Sequence, residues 1–259
     1  MKQFRPRLSS EEYELIQNHR SKNNVGIIGD THEPYCHPDY MNFCYEVFNR
    51  FSCGTIVHIG DEVDNAALSY HEKIVEMPNA ESEAEKAQLA MEKWYATFPD
   101  VMVCVGNHSA LPFRQATTAG IPKRFLKSYE EIWNAPKGWK WEMEWEIDNV
   151  LYTHGTGSSG ANAARNRAVA NRQSTVIGHS HSFGGVNYMA SRNDMIFGLN
   201  VGCGIDVDHM AFSYGKTFPK KPTLGCGVVL DSGRVAIFVP MDLGKKYEWL
   251  KEKDQRWKK

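Results

Sequence analysis

Five short stretches of this chain gather side chains that bind cations. Asp30 and His32 stand in GDTH, Asp61 and Asp64 in GDEVD, Asn107 and His108 in GNH, His154 in YTHG, and His179 and His181 in GHSH. Each stretch follows a short apolar run. A glycine beside each polar group lets the backbone turn tightly and lets a metal or phosphate come close. On an extended segment residues i and i+2 point the same way, so D-x-H and H-x-H are natural chelating pairs. Carboxylate, amide and imidazole donors without thiolate suit Mn²⁺, Fe or Zn²⁺ and not a structural cysteine-zinc site. Asp30, His32, Asp61, Asn107, His154, His179 and His181 make seven donors. That is too many for one tetrahedral ion, and it fits two ions about 3.5–4 Å apart that share a carboxylate.

The elements that must position these groups follow from hydrophobic periodicity. NVGIIGD, TIVHIGD and VMVCVGNH read as buried strands, and DYMNFCYEVFNR and NAESEAEKAQLAMEKWYATF between them have helical spacing. Such alternation predicts an α/β core with parallel strands. The second half reads as strands at WKWEMEWEID, VLYTHG, STVIGHSH, MIFGLNVGCG, LGCGVVLD and VAIFVP. In WKWEMEWEI the period is two, which predicts one strand with Trp139, Trp141, Met143 and Trp145 on a single face. That row reads as core packing, not as a platform for stacking bases. In open α/β sheets ligands bind beyond the carboxyl ends of the strands, which is where the five stretches fall.

At 259 residues the chain suits one large domain with short extensions, and its apolar and charged fractions are ordinary for a globular protein. A net charge of −1 gives no global attraction to nucleic acid or membrane, so any pull on a polyanion must be local. MKQFRPRLSS carries charges and no apolar segment, and no run is long enough to span a membrane. The six cysteines form no C-x-x-C pair, and several sit in apolar strand-like runs where a reduced, buried thiol is the default, so a cytoplasmic protein is expected. Residues 1–24 read as a helical extension, 25–241 as the catalytic domain and 242–259 as a basic tail.

The ordered set GDTH, GDEVD, GNH, His154 and GHSH resembles the signature of the calcineurin-like metallophosphoesterase superfamily, from about Val25 to His181. The resemblance implies an α/β fold of two mixed β-sheets packed as a sandwich flanked by helices, in four layers. It implies that Asp30, His32 and His181 bind one metal ion. Asn107, His154 and His179 then bind the second, with Asp61 bridging. His108 stands beside the ions without coordinating them, as the general acid, and Asp64 orients it. Two divalent ions are implied, Mn²⁺ first with Fe or Zn as alternatives, and phosphate monoesters or diesters are hydrolysed by a hydroxide held between the two metals.

Two departures from the family pattern matter. Ser109 follows GNH where many members carry Asp or Glu, which puts support near His108 in doubt. Asn65 and Ala66 follow Asp64, which argues against the protein serine/threonine phosphatase branch.

Bland readings compete throughout. A Gly-Asp at a strand end is often only a turn or a cap. His58, inside TIVHIG, reads as a core histidine, and His19 and His37 as surface groups. The substrate is read from loops. GTGSSGANAARNRAVANR is predicted to turn helical, with Arg165 and Arg172 on one face and Arg167 pointing away. Arg114, Lys123, Arg124 and the basic tail add local charge, and His71 and His209 lie in loops able to face a substrate. These features favour a phosphodiesterase acting on nucleic acid or nucleotides. A phosphomonoesterase would use the same metals. A non-catalytic binding scaffold should have lost ligands that this chain keeps. Oligomeric state is left open.

Overall fold

The computed structural model describes residues 24–69, 79–206 and 221–241. The N-terminal extension up to residue 23, the basic tail from 242, His71 and His209 lie outside these residues. Asn24, assigned above to the extension, opens the first strand.

Eleven strands are described: β1 Asn24–Ile28, β2 Cys53–His58, β3 Val101–Cys104, β4 Trp139–Glu142, β5 Glu144–Ile147, β6 Val150–Thr153, β7 Ser174–Ile177, β8 Gly184–Ala190, β9 Met195–Val201, β10 Gly225–Leu230 and β11 Val235–Pro240. One sheet has the order β11-β10-β1-β2-β3-β4 and the other β5-β6-β7-β9-β8. Strands β1 to β4 run parallel, as the strand–helix alternation predicts, while β10 joins antiparallel to β1. In the second sheet β6, β7 and β9 are parallel, with antiparallel β5 and β8 at its edges. Both sheets are therefore mixed.

The layers follow from which way the strand residues face. Val25 and Ile27 of β1 join Val57, Tyr152, Val176 and Leu199 in the core between the two sheets. Ile28 points the other way and packs with helices α1 (Tyr40–Arg50) and α2 (Ala80–Thr97) through Phe43, Val47, Met91 and Trp94. Two shorter helices follow, α3 (Leu111–Thr118) and α4 (Tyr129–Ile132). Helix α5 (Ala163–Asn171) covers the outer face of the second sheet, where Ala163 and Ala164 pack on Ile177. Helix, sheet, sheet, helix is the expected four-layer order. Burying a side chain of Phe or Leu size contributes about 1.5–3 kcal/mol, so two such cores hold the strand ends in place. Among the described residues no helix is long and apolar enough to cross a membrane.

The tryptophan row is not one strand. Trp139 and Trp141 lie on β4 and pack on the helix side of the first sheet. The chain then crosses to the second sheet at Met143, which is 68% exposed. Trp145, on β5, packs between the sheets and donates its indole N–H to Val103 O at 3.0 Å. A chain that switches sheets breaks its own face alternation at the bend, and a period of two in the sequence carries no mark of that bend. Strand β8, which pairs with β9 along its whole length, is missing from the sequence prediction. Its half-exposed GGVNYMA has neither a continuous apolar run nor a clean alternation.

Candidate metal centre

The five ligand-bearing stretches leave the ends of β1, β2, β3, β6 and β7 and converge on one edge of the sandwich. Local backbone conformation aims the side chains. His32, Asp61 and His179 have φ of 51°, 50° and 62°, the left-handed region that non-glycine residues seldom adopt. Each costs on the order of 1–3 kcal/mol, and such residues persist where the surroundings over-determine them. The surroundings here do. His32 N–H donates to Asp61 O at 2.9 Å, Asp64 N–H to Glu33 O at 3.0 Å, and Gly178 N–H to His154 O at 3.1 Å. The expectation that Asp30/His32 and His179/His181 converge as i, i+2 pairs on extended segments is thereby corrected. One member of each pair sits in a tight left-handed turn after its strand has ended.

Three clusters of possible ligands form, each with its donor atoms within 4.8 Å of one another: Asp30, His32 and His181; Asp61, His154 and His179; and His32, Asp64 and His108. His181 Nε2 lies 2.9 Å from Asp30 Oδ2 and 3.2 Å from His32 Nε2. His154 Nε2 faces Asn107 Oδ1 at 3.0 Å and Asp61 Oδ2 at 3.1 Å. The Nδ1–H of His154 donates to Ile59 O at 3.1 Å, which fixes the tautomer and leaves Nε2 as the ligating atom. Asp61, a member of the second cluster, also approaches the first, with His32 Nε2 3.8 Å from its Oδ2.

Two carboxylate oxygens decide what this arrangement fits. Asp30 Oδ1 is fully buried and has no hydrogen-bond partner, and the buried Asp61 Oδ2 has only the His154 imidazole at 3.1 Å. A buried anionic oxygen without a partner is costly, and a cation is what satisfies it. Burial raises the Asp61 carboxyl, but the neighbouring imidazoles of His154, His108 and His32 outweigh burial and hold it well below the usual carboxylate range. Burial pushes His154 down, yet the charges of Asp61 and Asp30 win and lift it to about 9. A divalent ion replaces that proton when it binds, because a ligating imidazole must be neutral. Burial, with the charge of His154 adding to it, lowers His179. The residues fit a pair of divalent ions.

The glycines of the motifs act by close approach. A Cβ on Gly106 would lie 2.0 Å from Asp61 Oδ1, and one on Gly178 2.1 Å from Asp30 Oδ1. Both carboxylates occupy space that any other residue would fill.

Asp64 touches two imidazoles. Its Oδ1 is 2.5 Å from His32 Nδ1 and 3.2 Å from His108 Nδ1, and His108 Nδ1 also donates to Asp64 O at 2.6 Å. Burial lowers His108, but the Asp64 hydrogen bond and the Asp61 and Asp64 charges raise it to about 9.

Sequence reasoning missed Glu62. It is fully buried, accepts Ser109 Oγ–H at 2.6 Å and accepts the Trp141 indole N–H at 3.1 Å. Ser109 Oγ in turn accepts from Asp61 N at 3.2 Å and Gly106 N at 3.3 Å. The Ser109 hydroxyl ties the Asp61 turn to the Gly106 turn, and Glu62 supplies the carboxylate behind it. Glu62 sits inside GDEVD, and nothing in its spacing distinguishes it from a surface glutamate. His58 is a satisfied core group, accepting Gly60 N–H at 3.2 Å and facing Thr31 Oγ1 at 3.0 Å.

The basic residues join none of the clusters. Arg165 is exposed and reaches Asn166 Oδ1 at 3.4 Å. Arg172 follows the last turn of α5 in a left-handed conformation (φ 52°), so the shared helical face predicted for the two is corrected. At 1.5 Å per residue it lies roughly 13 Å along the axis from the helix start. Arg167, read as pointing away, instead ties the loop after His154, donating to Ser158 Oγ at 2.7 Å and Thr156 O at 2.6 Å. Lys123 and Arg124 form an exposed 3₁₀ turn, and Arg114 is exposed on α3.

Comparison with known proteins places the geometry in a family. No curated protein matches the chain by sequence. Among solved structures, Vacuolar Protein Sorting 29 from Cryptosporidium parvum is 13% identical, with a TM-score of 0.43 over 85% of this chain and 91% of its own. A metallophosphoesterase from Sphaerobacter thermophilus is 12% identical, with a TM-score of 0.40 over 90% of this chain and 94% of its own. The Pseudomonas putida nuclease MPE is 12% identical, with a TM-score of 0.32 over 84% and 87%. Scores this low specify neither a substrate nor a partner. The family model of the calcineurin-like phosphoesterase superfamily domain matches residues 24–206, well over half of the chain. Because that match runs from the first strand past the last of the ligand-bearing turns, the chain belongs to the calcineurin-like phosphoesterase superfamily.

Proposed function

We propose that this protein is a metal-dependent phosphoesterase that hydrolyses phosphodiesters, in nucleic acid or nucleotides. The observation that carries the reading is the pair of buried carboxylates Asp30 and Asp61: Asp30 Oδ1 has no hydrogen-bond partner, and imidazoles flank both groups, His181 at Asp30 Oδ2 and His154 at Asp61 Oδ2. Asp30, His32 and His181 would hold one divalent ion and Asn107, His154 and His179 the other, with Asp61 between them. Mn²⁺ is the proposed metal. Such ions, when bound, acidify water and offset charge on phosphoryl oxygens.

The chain's own residues do the rest. His108 Nδ1 is engaged by Asp64, which leaves Nε2 to deliver a proton to the departing oxygen. Its side chain is 25% exposed, enough to meet a substrate from outside. Asp64 holds the ring in that orientation. The buried Ser109–Glu62 pair keeps the Asp61 turn from shifting. Arg165, in the first turn of α5, and His209 are the proposed contacts to a phosphate chain. Arg172, seven residues and roughly 10 Å further along α5, is a proposed contact to a neighbouring phosphate of the same chain.

Reconstitution with Mn²⁺, Zn²⁺ or Fe²⁺, followed by rates on bis-p-nitrophenyl phosphate and p-nitrophenyl phosphate and then on DNA and RNA strands, tests the reading. Turnover of the diester ahead of the monoester, abolished in Asp61→Ala, is expected. Faster monoester turnover would make the protein a phosphomonoesterase, and no turnover with any metal would overturn the enzyme reading.

A further inference from the structure

A pocket of ≈ 260 Å³ lies on the helix-covered face of the second sheet, lined by the start of α5, Phe183 and residues of β8 and β9. Its position is set by the loops that carry the metal ligands. Ala161 on one wall follows His154 by way of the 155–160 loop, and Phe183 on the other comes two residues after His181. Asn200, also in its lining, pairs in register with Ile177, the last residue of β7 before the GHSH turn. The pocket therefore lies at the same end of the second sheet as the GHSH turn.

Asn200 is the feature of the pocket that folding alone does not explain. It is 3% exposed, and its Nδ2 has no partner. The amide orientation is determined, because Oδ1 accepts Gly202 N–H at 3.2 Å and leaves Nδ2 directed elsewhere. That direction is towards α5. Gly198, two residues earlier on β9, shares the face of Asn200, and a Cβ there would lie 2.5 Å from the Ala164 backbone. A buried N–H pair without an acceptor costs about 1–3 kcal/mol, which a ligand acceptor would recover. Gly185, opposite Asn200 on β8, keeps the floor bare: nothing lies within 4 Å of where its Cβ would stand.

The lining contains no charged residue. Asn162, Asn187 and Asn200 supply amide donors and acceptors, and Phe183 supplies an aromatic face. The volume is below the roughly 300–1,000 Å³ of pockets that enclose drug-sized ligands, so it suits one ring system, and the uncharged lining offers a phosphate no counter-charge. Neutral amides beside an aromatic ring match a planar, uncharged group with hydrogen-bonding edges, which is the chemistry by which proteins hold an unstacked base. We infer that this pocket is a nucleobase subsite, with Asn200 Nδ2 donating to a ring nitrogen or carbonyl of the base. The inference rests on the phosphodiesterase reading, and it adds which part of the substrate is held away from the metals.

The test separates the two. Adenosine, uridine and methyl β-glucoside are titrated into the full-length wild type, Asn200→Asp and Ala161→Phe, with binding read by NMR shifts without added metal. Asn200→Asp keeps the acceptor for Gly202 N–H and removes the donor, and Ala161→Phe fills the pocket from an exposed position. Millimolar binding of a nucleoside by the wild type is expected, weakened about tenfold in both variants. Absence of nucleoside binding, equal binding in the variants, or equal binding of the glucoside would overturn the base subsite. In parallel, thymidine 5′-p-nitrophenyl phosphate and methyl p-nitrophenyl phosphate, which share a leaving group, are assayed with metal. The variants should lose the wild-type preference for the nucleoside ester through KM and keep the methyl ester rate. Loss of that rate in both variants would overturn the subsite, whereas a wild type inactive on both esters would sink the phosphoesterase reading and leave the binding result to stand by itself.

Discussion

Asp64 Oδ1 sits 2.5 Å from His32 Nδ1 and 3.2 Å from His108 Nδ1, so a single carboxylate braces a candidate metal ligand and the candidate acid together. The two imidazoles stand edge to face, with ring centroids 4.6 Å apart. Movement of one ring is therefore felt by the other. Had Asp64 served His108 alone, metal affinity and proton delivery would be separable by mutation at this position.

Asp64→Asn is expected to weaken metal binding by about 10–100-fold, the usual effect of removing a partner that orients a ligating imidazole, and to lower kcat as well. Metal titration of the apoprotein alongside kinetics checks this. Unchanged metal affinity with reduced kcat would return Asp64 to His108 only.

His108→Ala should keep both ions and lose turnover by about 10²–10⁴-fold on substrates with poor leaving groups. The loss should shrink with p-nitrophenolate, which needs no proton to depart. A leaving-group series in the variant reads the difference directly. A uniform loss across the series would instead mean that His108 positions the substrate.

Asp61→Ala removes a carboxylate that belongs to one ligand cluster and lies 3.8 Å from His32 of the other. The variant should bind metal with lower stoichiometry and show no measurable phosphoesterase activity. Elemental analysis beside the rate distinguishes a missing ion from an inert pair.

Ser109→Ala strips the hydroxyl from a buried site and leaves Glu62 Oε2, Asp61 N–H and Gly106 N–H short of partners. Destabilisation of about 1–3 kcal/mol is expected, read as a lower denaturant midpoint at unchanged m. Ser109→Thr, which restores the hydroxyl, should recover part of it.

Gly178→Ala would drive a methyl to within 2.1 Å of Asp30 Oδ1 and 2.5 Å of Ile59 Cγ2. The Asp30 carboxylate must rotate away, so metal affinity should fall further than stability does. Comparing apparent metal Kd with Tm of the apoprotein tests that order.

The candidate donors were legible in the chain because metal chemistry restricts residue type, and because strand ends carry glycine and short polar groups where a site must be. GDTH, GNH and GHSH are local, so the residues that form them need no tertiary information to be recognised. The alternation of strand and helix in the first half is legible for the same reason, since burial on both faces of a parallel sheet leaves a continuous apolar run. What lies behind the ligands was not legible. Glu62 and Ser109 are 47 residues apart, and Asn200 acquires its meaning from a helix that begins at Ala163.

The type of each donor, its order along the chain and the family it resembles were determined by sequence alone. Tertiary structure decided the direction of every donor. The left-handed turns at His32, Asp61 and His179 are held by backbone hydrogen bonds between separate strand ends; Asp and His tolerate that conformation better than most residues, but the cross-strand contacts select it. It also decided that the tryptophan row breaks across two sheets at Met143, because a bend between sheets is a property of how layers pack and leaves no period in the sequence.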